Sequence, residues 1–119
     1  MAIHNDFGKL GEEQAVKHLE KNGYTILEKN YRYLKAEVDI IARSKDILVI
    51  VEVKSRNTGF IADLSDLIHQ KKINLLIAAA HQYVTFHDLD VEVRFDIITV
   101  VQQKGGLEIK HIEDAFYHF

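Results

Sequence analysis

Glu37, Asp39, Glu52 and Lys54 are the residues of this chain whose types and spacing could do chemistry. Three carboxylates and one ammonium group at one place could hold a divalent cation and steer a water onto a phosphorus centre. Oxygen ligands in this number suit Mg²⁺ or Mn²⁺, which bind through one or two carboxylates plus water and substrate phosphate. Carboxylates crowded together repel, and one takes up a proton unless a cation sits among them. The lysine could neutralise a developing negative charge or orient the water. The plainer alternative is a solvated hairpin face carrying a Glu–Lys pair. The strands that carry these residues are too apolar for a wet edge, and the charges gather at one end, which favours the site.

Two Val- and Ile-rich runs, 38–42 and 47–53, must position these groups. Each reads as a β-strand and the pair as a hairpin around a polar turn at 43–46. Side chains alternate faces along a strand. Glu37, Asp39 and Ile41 therefore share one face, as do Ile50, Glu52 and Lys54. A turn centred between Ser44 and Lys45 sets Asp39 opposite Ile50 and diagonal to Glu52, roughly 7–8 Å away at the backbone. It also sets Glu37 opposite Glu52, an unfavourable like-charge pair. The other face, Val38, Ile40, Ala42, Val49, Val51 and Val53, is wholly apolar and belongs to the core.

The remaining elements follow from periodicity. A helix is expected over 6–21, with Asp6 as its N-cap and an apolar stripe of Phe7, Leu10, Ala15, Val16 and Leu19. Gly8 and Gly11 cost helix propensity, so another backbone or a ligand should approach them closely. Glu12 lies beside them and can point towards the hairpin acids; the alternative is a solvated glutamate favoured by the helix dipole. A strand follows over 24–29, then a connector over 30–35 in which basic residues and tyrosines interleave. A second helix is expected from 65 or 66 to about 86, with Lys71 and Lys72 in its first half. A strand over 91–101, a turn, a short strand over 107–112 and a terminal segment anchored by Phe116 complete the chain.

Composition limits the function classes. The 119 residues are 47% apolar and 28% charged, ordinary for one globular domain, so residues 1–119 are expected to form a single one. The net charge of −3 counts against a plain nucleic-acid binder. It leaves room for an enzyme acting on phosphodiesters, because an acidic metal site lowers the total. Cysteine is absent, which fits a reducing cytoplasm. The first residues lack a signal-peptide pattern, and no apolar run approaches a membrane span. No histidine pair at i, i+4, Walker loop, Rossmann glycine pattern or Gly-x-Ser-x-Gly elbow occurs.

An aspartate about a dozen residues before Glu-x-Lys, on paired strands after a helix bearing a glutamate, resembles the PD-(D/E)XK nuclease superfamily. Within it the whole chain looks like the YraN-like family of small bacterial proteins, predicted endonucleases similar to archaeal Holliday-junction resolvases. The matching residues include Gly11-Glu12, Gly23-Tyr24, Asn30-Tyr31-Arg32, Glu37-x-Asp39, Val51-Glu52-Val53-Lys54-Ser55-Arg56, Lys72 and Arg94-Phe95-Asp96. The chain departs from the family pattern at Ala36, at Ile73 and at Gly59-Phe60. The resemblance implies that Asp39 and Glu52 hold Mg²⁺ or Mn²⁺, that Lys54 assists the attacking water, that Glu12 completes the site, and that Glu37 is an accessory acid.

Taken together, the expectation is an α/β, restriction-endonuclease-like fold: a mixed central sheet of about five strands flanked by two main helices. The expected activity is metal-dependent phosphodiester hydrolysis on branched or single-stranded DNA, with Arg32, Lys35, Arg56 and Lys72 gripping the backbone. A two-fold dimer would suit a branched substrate. The competing readings are a non-catalytic nucleic-acid-binding or protein-interaction module on the same fold, and a hydrolase of small phosphate esters.

Overall fold

Val- and Ile-rich segments separated by short polar turns build the sheet, and the two segments with helical periodicity cover its faces. In a computed structural model the described residues are 3–57 and 68–116, the side chains of 3–6 excepted. The order is α1 (Ile3–Lys21), β1 (Thr25–Tyr33), β2 (Ala36–Ser44), β3 (Ile47–Arg56), α2 (Gln70–His87), β4 (Glu92–Gln103) and β5 (Gly106–Ile112). The strands form one five-stranded sheet in the order β1-β2-β3-β4-β5. Only β3 and β4 run parallel. A parallel pair needs a crossover, and α2 lies within that connection. The mixed α/β sheet with two flanking helices is as expected.

Each helix seals one face. Leu76, Ala79, Ala80 and Tyr83 of α2 pack on Ile41, Leu48, Ile50, Phe95 and Ile97. Ala15 and Leu19 of α1 pack on Ile40, Ala42, Val49, Val51, Ile98 and Val100. Burying one such aliphatic side chain stabilises by about 1.5–3 kcal/mol, and a one-residue slip would turn a whole strand inside out. Among the described residues no helix is long and apolar enough to cross a membrane.

Several boundaries differ from the sequence reading. Helix α1 starts at Ile3, so Asp6 lies inside the helix rather than at its cap. The stripe of α1 is centred on Gly11, Ala15 and Leu19, while Leu10 is 39% exposed. The segment read as a connector is strand: β1 runs on to Tyr33, and only Leu34 and Lys35 form the turn. Helix α2 begins at Gln70, because His69 is extended (φ −99°, ψ 159°) and Ile68 is buried ahead of the helix. The expected helix start at 65 or 66, the ambiguous segment before it and Gly59-Phe60 fall outside the described residues.

The turn between β2 and β3 also moves. Its residues are Lys45 and Asp46 alone, flanked by the pair Ser44↔Ile47. Lys45 adopts φ 56° and Arg43 Nε donates to its carbonyl at 2.8 Å. The centre lies one residue later than expected, which slides the register by two. A shift of two preserves parity between β2 and β3 from Ile40 to Ser44, but each residue meets a different partner.

Candidate functional site

The register brings the acids together. Ile40 pairs with Val51, and one further step places Asp39 beside Glu52 rather than diagonal to it. Glu37 moves away from Glu52, so the expected like-charge pair is absent. Glu37 instead pairs across β1 with Arg32, whose guanidinium lies 3.6 Å from its carboxylate.

The strands are irregular where Asp39 sits. The β2–β3 ladder stops at Ile40, and the Val53 N–H donates to Asp39 Oδ2 at 2.8 Å in place of a backbone partner. Across β1, the residue facing Asp39 in the running register is Asn30, which adopts φ 54°. Val38 packs in the cluster beneath α2 while Ile40 packs in the cluster beneath α1. Two residues of one parity on opposite sides means that the alternation breaks at Asp39. The expectation that Val38 shares the face of Ile40 is therefore corrected. The break frees the Asp39 carboxylate to turn in towards β3.

Glu12 reaches the same place from α1. Gly11 makes this possible: a Cβ there would stand 2.0 Å from Ser55 Oγ at the end of β3. The predicted close approach thus holds for Gly11, whereas a Cβ on Gly8 would meet open space. The Asn30 side chain hydrogen-bonds the Glu12 carboxylate. Burial raises the Glu12 pKa, and the charges of Glu37 and Glu52 raise it further. Asp39 is pushed up to about 7, first by burial and then by Glu52 and Glu12, against the pull of the Val53 N–H and Lys72.

Glu52 is the most enclosed member, 5% exposed. Lys54 Nζ lies 3.1 Å from its Oε2, and Lys72 Nζ lies 3.9 Å from its Oε1. Oε1 is buried without a hydrogen-bond partner among the described residues. Lys72 also donates to the Glu37 carbonyl at 3.0 Å. The sequence reading makes Lys72 a phosphate ligand if its end of α2 faces the acids; that end does face them, with Lys72 against Glu52 and the Glu37 carbonyl. Arg32, Lys35 and Arg56 are exposed around the same end of the sheet, Arg56 donating to the Ser55 carbonyl at 2.9 Å. Among the described residues no three His, Asp or Glu side chains already form a cage for a metal ion. The donor set is therefore two facing carboxylates, Asp39 and Glu52, with Glu12 behind them.

Asn30 is the site residue that the sequence reading left without a role. Its signal was an asparagine in the middle of a strand, since Asn is among the few non-glycine residues that visit the left-handed region readily. A second polar cluster was also missed. Asp96, wholly buried, accepts two hydrogen bonds from Arg94 (2.8 and 2.9 Å), one from His111 Nε2 (2.6 Å) and one from the Asp114 N–H (3.0 Å). His111 Nδ1 in turn meets His18 Nε2 of α1 at 3.1 Å.

The family model described as "Uncharacterised protein family UPF0102" matches residues 11–100. A UPF0102 protein of Flavobacterium psychrophilum is 51% identical over 119 residues, covering 100% of both chains. A UPF0102 protein of Bacteroides thetaiotaomicron is 44% identical over 117 residues, covering 98% of this chain and 97% of that one. A solved structure of Pyrococcus furiosus SfsA in complex with Ca²⁺ is similar over 92% of this chain at 17% identity and a TM-score of 0.38, and this chain spans 62% of that one.

Proposed function

We propose that this chain, which belongs to the uncharacterised protein family UPF0102, is a divalent-cation-dependent phosphodiesterase that cuts DNA. The likeness to the YraN-like proteins holds at the level of the family; the activity is our reading of the site. The observation that carries it is Glu52 Oε1, a buried carboxylate oxygen without a hydrogen-bond partner among the described residues, beside a second carboxylate pushed up to about 7. Two acids kept together at that cost are matched to a cation, and two carboxylates with water satisfy Mg²⁺ or Mn²⁺.

Asp39 and Glu52 would hold the ion. When bound, it supplies Lewis-acid polarisation of the phosphate and lowers the pKa of a water. Lys54, two residues from Glu52 on the same strand, donates towards the attacking water and the developing phosphoryl charge. Glu12, fixed by Asn30, accepts from the water on the α1 side. Lys72 holds Glu52 and the Glu37 backbone in register. Glu37 is an accessory acid held by Arg32, and Arg32, Lys35 and Arg56 contact flanking phosphates.

One observation favours the competing binding module: Lys54 and Lys72 both neutralise Glu52 without any cation. Incubation with Mn²⁺ and single-stranded, duplex or four-way DNA separates the readings. Wild type should cut at least one substrate, and Asp39→Asn and Lys54→Ala should each lose about 10²-fold or more, the usual scale for losing a central electrostatic group. Wild type that shifts DNA in a gel and cuts none of it establishes the binding module. Cleavage of a chromogenic phosphate diester alone points to a small-ester hydrolase.

A further inference from the structure

The acid site opens into a groove of about 360 Å³ between α1 and β1. Asp39, half-buried Val16 and the nearly wholly buried Ile40 also line it. Lys9 and Lys17 stand on the helix wall and Lys29 on the strand wall. All three lysines are exposed, and none makes a hydrogen bond or ion pair among the described residues. Three other cations of this end are already engaged by acids: Arg32 on Glu37, Lys54 and Lys72 on Glu52.

We propose that this groove seats a single strand of DNA and leads it to Asp39, an inference that rests on the phosphodiesterase reading and names its substrate class. Lys9 and Lys17 are eight positions apart on one helix, about 12 Å along its axis. That span covers a few consecutive phosphates of one strand. Lys29 faces them from the other wall, so a strand between the walls is gripped from both sides. Half-buried Val16 offers an apolar contact for a base face. The groove lies between one helix and one strand, which suits a single phosphate backbone, so the strand is expected to arrive unpaired, as an end, a flap or the arm of a branch.

The groove also carries Glu12, Glu13 and Glu20. With Asp39, four carboxyl groups stand among three ammonium groups, so the groove has no excess of positive charge of its own. A divalent cation at the acid site adds the positive charge that favours phosphate. Strand binding is therefore coupled to cation binding.

Fluorescence anisotropy of a labelled oligothymidylate on the full chain, in Ca²⁺ and in EDTA, tests this. Wild type should bind at least 10-fold more tightly in Ca²⁺, and should prefer the single strand to a duplex of the same length. Lys9→Glu, Lys17→Glu and Lys29→Glu should each weaken binding in Ca²⁺ by about 5- to 10-fold, each removing one phosphate contact and adding a repulsion. Lys104→Glu in the exposed β4–β5 turn should leave it unchanged. Groove variants that bind like wild type, or binding equal in EDTA, overturn the proposal. Cleavage that survives unaltered in those variants removes the groove and keeps the phosphodiesterase. Groove-dependent binding without cleavage keeps the groove and removes the phosphodiesterase.

Discussion

At the scale of single residues, Asp39 shows how burial beside like charges turns a common carboxylate into a switchable one. Its folded-state pKa of about 7 lies above the ordinary 3.8, with burial as the first cause and Glu52 the second. The folded chain therefore binds more protons than the unfolded chain between those values, and stability falls as pH rises through that window. The cost above pH 7 is on the order of a few kcal/mol. In metal-free protein, the stability of Asp39→Asn relative to wild type should grow from pH 4 to pH 7.5 in thermal melts. Mn²⁺ should raise the wild-type melting temperature more at pH 7.5 than at pH 5.5, where protons compete for Asp39. A flat difference between the two proteins across this range would mean that Asp39 does not bear the shifted proton. Asn30 gives a second test. Asn30→Gly keeps the backbone at φ 54° and loses only the hydrogen bond to Glu12, about 0.5–1.5 kcal/mol. Asn30→Ala adds about 1–2 kcal/mol for the left-handed backbone. Alanine should thus be the worse substitution in chemical denaturation, the reverse of the order in an ordinary strand. The acids and Lys54 were legible in the sequence because charge on an apolar strand is conspicuous. Lys72 at the acids was not, because it depends on where α2 crosses the sheet.

At the scale of elements, parity was legible and register was not. Val and Ile at alternate positions dictate which side chains share a face, and the clusters around Ile50 and Val51 follow that pattern. The centre of a turn depends on which residue accepts a left-handed backbone, and 43–46 contains no glycine to mark it. Lys45 takes that conformation at φ 56°, and Leu34 does so in the β1–β2 turn at φ 53° while 84% exposed. Leu34 has almost no burial to lose, so Leu34→Gly should stabilise the fold by up to about 1 kcal/mol. A loss of stability instead would mean that this exposed leucine has a contact worth more than its backbone strain. Gly11 is the opposite case. A methyl group there meets Ser55 at the end of β3, so Gly11→Ala should force α1 away from the sheet. The expected cost is about 1–3 kcal/mol despite the better helix propensity of alanine. Because Glu12 is the next residue, this variant should also lower Mn²⁺ affinity, whereas Gly8→Ala, open to solvent, should be neutral or stabilising.

At the scale of the whole molecule, two aspartates, Asp39 half-buried and Asp96 wholly buried, divide the electrostatics of the fold between them. Asp39 is held among acids where β2 meets β3. Asp96 is held among donors that tie β4 to β5 and, through His111 and His18, to α1. Burial alone would push the Asp96 carboxyl up, but His111, Arg94 and the Asp114 N–H more than reverse it, and its pKa falls below the ordinary 3.8. The stability it contributes is present above pH 3.8 and lost as pH falls further. His18 is lowered from 6.5 by burial and by His111, so its contribution is present above pH 6.5 and lost on acidification. The metal-free fold is thus opposed from both sides, by Asp39 on the alkaline side and by His18 and then Asp96 on the acid side. Wild type should pass through a broad stability maximum at mildly acidic pH, and Mn²⁺ should move that maximum towards neutrality by relieving the alkaline side alone. Asp96→Asn should act differently from any change in the acid site. It strands Arg94 and His111 against a neutral partner, with an expected cost of about 3–5 kcal/mol at neutral pH, or about 10–25 °C in melting temperature. Because the site acids lie on other strands, the residual folded Asp96→Asn protein at low temperature should bind Mn²⁺ nearly as wild type does. If its Mn²⁺ affinity falls as steeply as its stability, the Asp96 cluster and the acid site are one cooperative unit, and the Asp96 cluster positions α1, and with it Glu12, at the acids.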